Sequence, residues 1–123
     1  SIVSAGFPSP ADNYIEEKLN LSKHLIKNKE STFFVRVSGD SMVNVGIFDN
    51  DILVVDRSLT PIKKSIVIAS IEGELVVKKL IKDNKTRDYY LKSENDNYPD
   101  IRLSSHSDTM IWGVVTYTIH KLI

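Results

Sequence analysis

The sequence predicts a mainly β fold with an extended N-terminal arm and one or two short helices. Three observations carry that expectation. From Phe33 onward, β-branched and aromatic runs of strand length recur, each broken by Gly, Pro, Asn or Asp. Pro8 and Pro10 fall within the first eleven residues, where no polar periodicity develops. Between arm and strands, apolar residues take helical spacing only briefly.

The segment from Ser1 to Ala11 reads as an arm able to reach across the protein, and residues 12–123 read as one domain. From Asp12, the positions of Tyr14, Ile15 and Leu19 around Glu16, Glu17 and Lys18 permit a short amphipathic helix. Ser22 is a candidate cap for a second turn carrying Leu25 and Ile26. Strands are expected at Phe33 to Val37, Ile52 to Val55, Ser65 to Ile71, Leu75 to Ile81, Tyr89 to Lys92 and Met110 to Ile119, with a loop from Ser93 to Pro99. Ile71-Glu72-Gly73-Glu74 offers a two-residue hairpin loop with glycine where a positive φ is needed, so the strands on either side should pair.

A chain of 123 residues suits one domain around a single core, and its 41% hydrophobic and 26% charged residues are those of an ordinary globular protein. Sixteen basic residues balance sixteen acidic ones, so no long-range field draws the chain onto phosphate, and any nucleic-acid role is expected to run through a partner. The absence of cysteine excludes disulfides and thiolate metal sites and fits a cytoplasmic protein. No apolar run reaches membrane-spanning length and no signal-peptide pattern opens the chain. Ser1 in place of Met fits a processed or trimmed form.

The candidate chemistry lies in Ser38-Gly39-Asp40-Ser41-Met42 and in a lysine 37 residues beyond Ser41, Lys78. On local pattern alone, Gly39-Asp40-Ser41 is a turn after a strand, and most such serines contact only their own backbone. Lys78 is the less ordinary residue. It lies within Leu75-Val76-Val77-Lys78-Lys79-Leu80-Ile81, sharing a face with Val76 and Leu80, whereas Lys79 shares the other with Leu75, Val77 and Ile81. Both faces are apolar, so alternation does not choose between the lysines. A lysine enclosed by Val and Leu loses hydration, and its pKa falls toward the range in which it accepts a proton. A serine needs such a base to become a nucleophile.

Phe34 to Met42, Gly46-Ile47, Asp51-Ile52-Leu53, Ile66 to Ala69 and Val76 to Leu80 together resemble the LexA/UmuD family of self-cleaving peptidases. Ala5-Gly6-Phe7-Pro8-Ser9-Pro10 is similar to the cleavage segment of the UmuD branch, accessory subunits of error-prone SOS DNA polymerases. Almost the whole chain is covered, with arm, nucleophile and base in the family's order and spacing.

The resemblance implies a fold of distorted antiparallel sheets and a catalytic dyad in which Ser41 is the nucleophile and Lys78 the general base. It implies cleavage between Ala5 and Gly6, with the backbone amides of Asp40 and Ser41 as oxyanion donors. It also implies a homodimer, a RecA filament on single-stranded DNA as coprotease, and a translesion polymerase catalytic subunit as partner of the trimmed form. No cofactor or metal is implied. Ala5 stands where some UmuD proteins carry cysteine, although LexA-like proteins use alanine. Asn50 replaces a common glycine and tolerates left-handed geometry. Lys64-Ser65 replaces a usual Gly-Asp and reads as loop variation.

Competing readings are a LexA-like or phage repressor's C-terminal dimerisation and self-cleavage domain, a signal peptidase acting in trans, and a binding module that keeps the fold without activity. Asp49, Asp51 and Asp56 do not make a calcium loop, since Leu53 occupies a ligand position and the required glycine and final glutamate are missing. His24, His106 and His120 lack ligand spacing and read as surface or packing residues. Trp112 is expected in the core or a dimer interface, and the exposed lysines among positions 78, 79, 82 and 85 as solvated charge.

Overall fold

A computed structural model describes residues 3–6, 18–95, 97, 99–103 and 109–123. Seven strands form one antiparallel sheet: β1 (Thr32–Arg36), β2 (Ile52–Asp56), β3 (Ile66–Ile71), β4 (Glu74–Lys82), β5 (Tyr89–Lys92), β6 (Ile101–Arg102) and β7 (Thr109–Ile119). Their spatial order is β1-β2-β7-β3-β4-β5-β6. The six expected strands are present within a residue or two of their anticipated limits. The two-residue β6 was not anticipated, being too short to show a period.

The hairpin from β3 to β4 is pinned by Glu72 (φ 51°) and Gly73 (φ 82°), both left-handed, so Ile71 pairs with Glu74 and the register runs to Ile66 opposite Lys79. Two consecutive positive φ angles match the right-handed twist of the flanking strands. Asn50 (φ 73°) adopts the left-handed geometry anticipated for it. Lys64 (φ 74°), which stands in place of the family's usual glycine, does likewise.

Among the described residues, one short α-helix, α1 (Leu21–Leu25), precedes the sheet. Its cap is Asn20, whose side chain accepts from the Lys23 amide at 3.2 Å, and not Ser22, which lies in the first turn. An Asn side chain one residue before the first turn reaches the free N–H groups there, whereas Ser22 is already helical. The helix expected from Asp12 falls largely outside the described residues. Turns of 3-10 helix occupy Lys29–Ser31 and Val43–Val45.

Buried apolar side chains form two clusters where a single core was expected. Val37, Met42, Ile47, Leu53, Val55 and Ile68 make up one, and Val67, Ala69, Leu80 and Leu91 the other. The reason lies in β3, where consecutive residues point to opposite faces and both sets are apolar, so the sheet is covered on each side. Bulges between Val54 and Val55 and between Ile68 and Ala69 bend the central strands.

Candidate active site

Ser41 follows β1 in a turn held from several directions. Val37 donates to the Asp51 carbonyl and accepts from the Asn50 amide, each at 2.8 Å, which ends β1 against the loop before β2. Gly39 (φ 101°) turns the chain there, and its N–H donates to Asp49 Oδ1 at 2.8 Å. A side chain at Gly39 would face strain at that φ, so glycine is needed. Met42 is 1% exposed within the first cluster, and its carbonyl accepts from Val45 and Ile47. With its neighbour plugged into the core, Ser41 has little freedom to drift.

Lys78 sits mid-way along β4, opposite Val67 of β3. Its side chain is 8% exposed, and Nζ donates to Ser93 Oγ at 2.5 Å. Burial pushes the Lys78 pKa down, because the charged form loses hydration, and the Asp100 carboxylate partly opposes that shift. Lys79 points to the other face, where it ion-pairs with Glu94 Oε1 at 3.2 Å. The alternation that left the two lysines equivalent is thus broken by what lies across the sheet.

Ser41 and Lys78 line the same cavity of about 420 Å³, with Val35, Leu53, Ile68 and Val77 among its apolar walls. Lys79 does not line it. The cavity thus sets a hydroxyl and a desolvated amine against apolar walls. Val3 to Gly6 lie exposed, Val3 at 78%, so the Ala5–Gly6 bond is outside the cavity in this conformation.

A family model described as peptidase S24-like matches residues 1–116. The chain belongs to the peptidase S24-like family. Among relatives of this S24-like chain, MucA of Salmonella typhimurium is 42% identical over 118 residues, covering 95% of this chain and 79% of MucA. SamA of Salmonella typhimurium strain LT2 is 44% identical over 117 residues, covering 95% of this chain and 79% of SamA. The LexA repressor of Clostridioides difficile is 38% identical over 115 residues, covering 93% of this chain and 53% of the repressor.

The other candidate residues that lie among the described ones have structural partners in this S24-like protein. Asp49 accepts from the Gly39 amide. Asp51 is buried and accepts from the Phe48 amide and Thr118, with His120 Nδ1 beside its other oxygen. Burial opposes ionisation of Asp51, but the Phe48 amide, His120 and Thr118 outweigh it and lower its pKa. Asp56 accepts from Asn28, Ser31 and Ser58. His24 is exposed near Tyr117, and His106 lies outside the described residues. Trp112 packs against the first cluster and Phe33, with the Arg57 guanidinium 4.4 Å from its ring centre. No helix among the described residues is long and apolar enough to cross a membrane.

Sequence reasoning missed the segment from Ser93 to Asn95, which it read as the start of a plain loop. Ser93 touches Lys78, the Glu94 carbonyl accepts from the Asn44 amide at 3.0 Å, and Asn95 Nδ2 donates to the Asp40 carbonyl at 3.1 Å. Only the pairing of β4 with β5 brings this segment to the site, and that pairing has no local signature.

Proposed function

We propose that this S24-like protein is a UmuD-like SOS mutagenesis protein that cuts its own arm between Ala5 and Gly6. Ser41 is the nucleophile and Lys78 the general base. The observation that carries the reading is the convergence of Ser41 and a buried, pKa-lowered Lys78 on one apolar cavity.

In this mechanism the arm, residues 1–11, docks into the cavity and the neutral Lys78 amine takes the Ser41 proton. Ser41 Oγ bonds to the Ala5 carbonyl carbon, and the amides of Asp40 and Ser41 meet the developing oxyanion. The Lys78 ammonium then protonates the Gly6 nitrogen as the peptide bond breaks. Water, deprotonated by Lys78, then attacks the Ala5 ester carbonyl, and the Lys78 ammonium returns that proton to Ser41 Oγ as the ester bond breaks, leaving a free Ala5 carboxyl group and the starting dyad. Because arm and dyad belong to one chain or to two copies in a homodimer, effective concentration is high, and the rate is set by docking of the arm and by deprotonation of Lys78. A RecA filament on single-stranded DNA promotes docking, and the trimmed dimer serves a translesion polymerase catalytic subunit in the cytoplasm. Kinship with MucA and SamA over most of their lengths supports this branch.

The test is to incubate the full chain at alkaline pH, with and without activated RecA filament, and to weigh the products by intact mass. Cleavage after Ala5, absent in Ser41→Ala and Lys78→Ala, is the expected result. Wild-type protein as stable as Ser41→Ala under both conditions would reduce the chain to a binding module. The LexA match supports a second reading, a repressor's self-cleavage domain. A helix-turn-helix encoded upstream of Ser1 would favour that reading.

A further inference from the structure

We propose that Ser93 is a positioning residue for self-cleavage: its hydroxyl oxygen accepts one N–H of Lys78 and so aims the lysine lone pair at Ser41. The proposal rests on the Ser41–Lys78 reading above and adds to it the group that orients the base.

The backbone puts Ser93 where this role requires it. Antiparallel pairing sets Lys79 opposite Lys92 and Leu80 opposite Leu91. Continuing the register by one residue sets Ser93 opposite Lys78, on the same face of the sheet. The two side chains meet at 2.5 Å, and Ser93 is 3% exposed, so bulk water does not replace its hydroxyl. The flanking residues tie this segment to the nucleophile turn through the Asn44 amide on the Glu94 carbonyl and Asn95 on the Asp40 carbonyl. Ser93 is therefore braced against both halves of the site.

Stereochemistry supplies the rest. A neutral amine has two N–H bonds and one lone pair, and a long lysine side chain turns freely about its last bonds. A fixed acceptor that engages one N–H removes most of that freedom, and the lone pair must then point away from Ser93. An oriented base counts for more than a nearby one, since misplacement of about 1 Å costs on the order of a hundredfold in rate. Around the amine, Val67 faces Lys78 from β3, the Glu94 carboxylate is engaged by Lys79, and the Asp100 carboxylate acts on the ammonium through its charge.

The experiment measures first-order self-cleavage of the full chain from neutral to strongly alkaline pH for wild type, Ser93→Ala, Ser93→Cys and Ser93→Thr, with Ser41→Ala and Lys78→Ala in parallel. Ser93→Ala is expected to lower the alkaline plateau by about 10- to 100-fold. Its pH midpoint should also move down, because an oxygen that accepts from lysine holds the ammonium better than the amine. Ser93→Cys, isosteric but a weak acceptor, should behave as Ser93→Ala and covers the case in which alanine fails to fold. Ser93→Thr should restore most of the plateau and the midpoint. A plateau that falls with an unmoved midpoint in both Ser93→Ala and Ser93→Cys would make Ser93 merely structural and overturn the proposal. Faster cleavage in those variants would also overturn it, by showing that Ser93 competes with Ser41 for the amine. If Lys78→Ala cuts like wild type, the dyad reading itself fails. If it is inert while Ser93→Ala matches wild type in rate and midpoint, only the role of Ser93 fails.

Discussion

Replacing Asp56 by alanine tests how the segment before β1 is held to the sheet. The Asp56 carboxylate is 4% exposed, and its Oδ1 accepts from Ser31 Oγ at 2.8 Å, Ser58 N at 2.8 Å and Ser58 Oγ at 2.7 Å. Its Oδ2 accepts from Asn28 Nδ2 at 2.8 Å. Hydrogen bonds to a charged acceptor contribute about 1.5–3 kcal/mol each, so four independent ones would sum to roughly 6–12 kcal/mol. Two effects reduce that figure. Ser31 Oγ keeps the Asn28 carbonyl and Asn28 Nδ2 keeps Ser58 Oγ, so not every donor is orphaned. Removing a buried charge also recovers its desolvation cost, and about 3–5 kcal/mol of net loss is the expected outcome. Urea unfolding followed by Trp112 fluorescence at neutral pH measures it. Asn28 and then Ser58 hold the Asp56 carboxyl far below its ordinary value of 3.8. A depressed carboxyl contributes fully above its unfolded pKa, and that contribution is lost as pH falls toward the folded value. The gap between wild type and Asp56→Ala should therefore be constant above about pH 4 and narrow below it. A neutral-pH loss of under about 0.5 kcal/mol, the size of an ordinary surface substitution, would refute the reasoning, as would a gap unchanged in acid.

Gly113 is the one glycine whose added methyl group has no room, since a Cβ there would lie 2.6 Å from Val55 Cγ1. Gly113→Ala should therefore cost about 1–3 kcal/mol by overpacking, read as a lower thermal midpoint. Lys78→Met should instead stabilise the fold by about 1 kcal/mol at neutral pH, because a buried ammonium is replaced by a side chain of similar shape. With its folded pKa below the ordinary 10.5, Lys78 penalises the folded state while it must be charged, and the penalty vanishes once the unfolded lysine also loses its proton. Urea midpoints of Lys78→Met and wild type should thus converge above about pH 11, and a gap that persists there would argue against burial as the cause. Lys79→Ala, on the face away from the cavity, should largely spare self-cleavage while Lys78→Ala abolishes it, as judged by gel or intact mass. The reverse pattern would assign the base to the other lysine.

Much of the sheet was legible because its signals are short-range. Period-two runs marked six strands, and Glu72-Gly73 fixed the register of β3 on β4 through turn geometry alone. Asn50 announced its left-handed turn in the same way. The cap of α1 was misjudged by two residues, since Asn20 and Ser22 are equally good capping types and only the actual first turn distinguishes them. The two-cluster core was hidden because alternation says which residues share a face, not whether both faces will be covered.

By itself the amino-acid order determined strand periodicity, the glycine turn that presents Ser41, and the presence of two lysines within an apolar strand. Which lysine is stripped of water was decided only by the assembled sheet, where β5 brings Ser93 under Lys78 and Glu94 beside Lys79. The physical reason is that desolvation and hydrogen bonding at an amine depend on neighbours fifteen or more positions away, whereas local pattern reports only the few residues on either side.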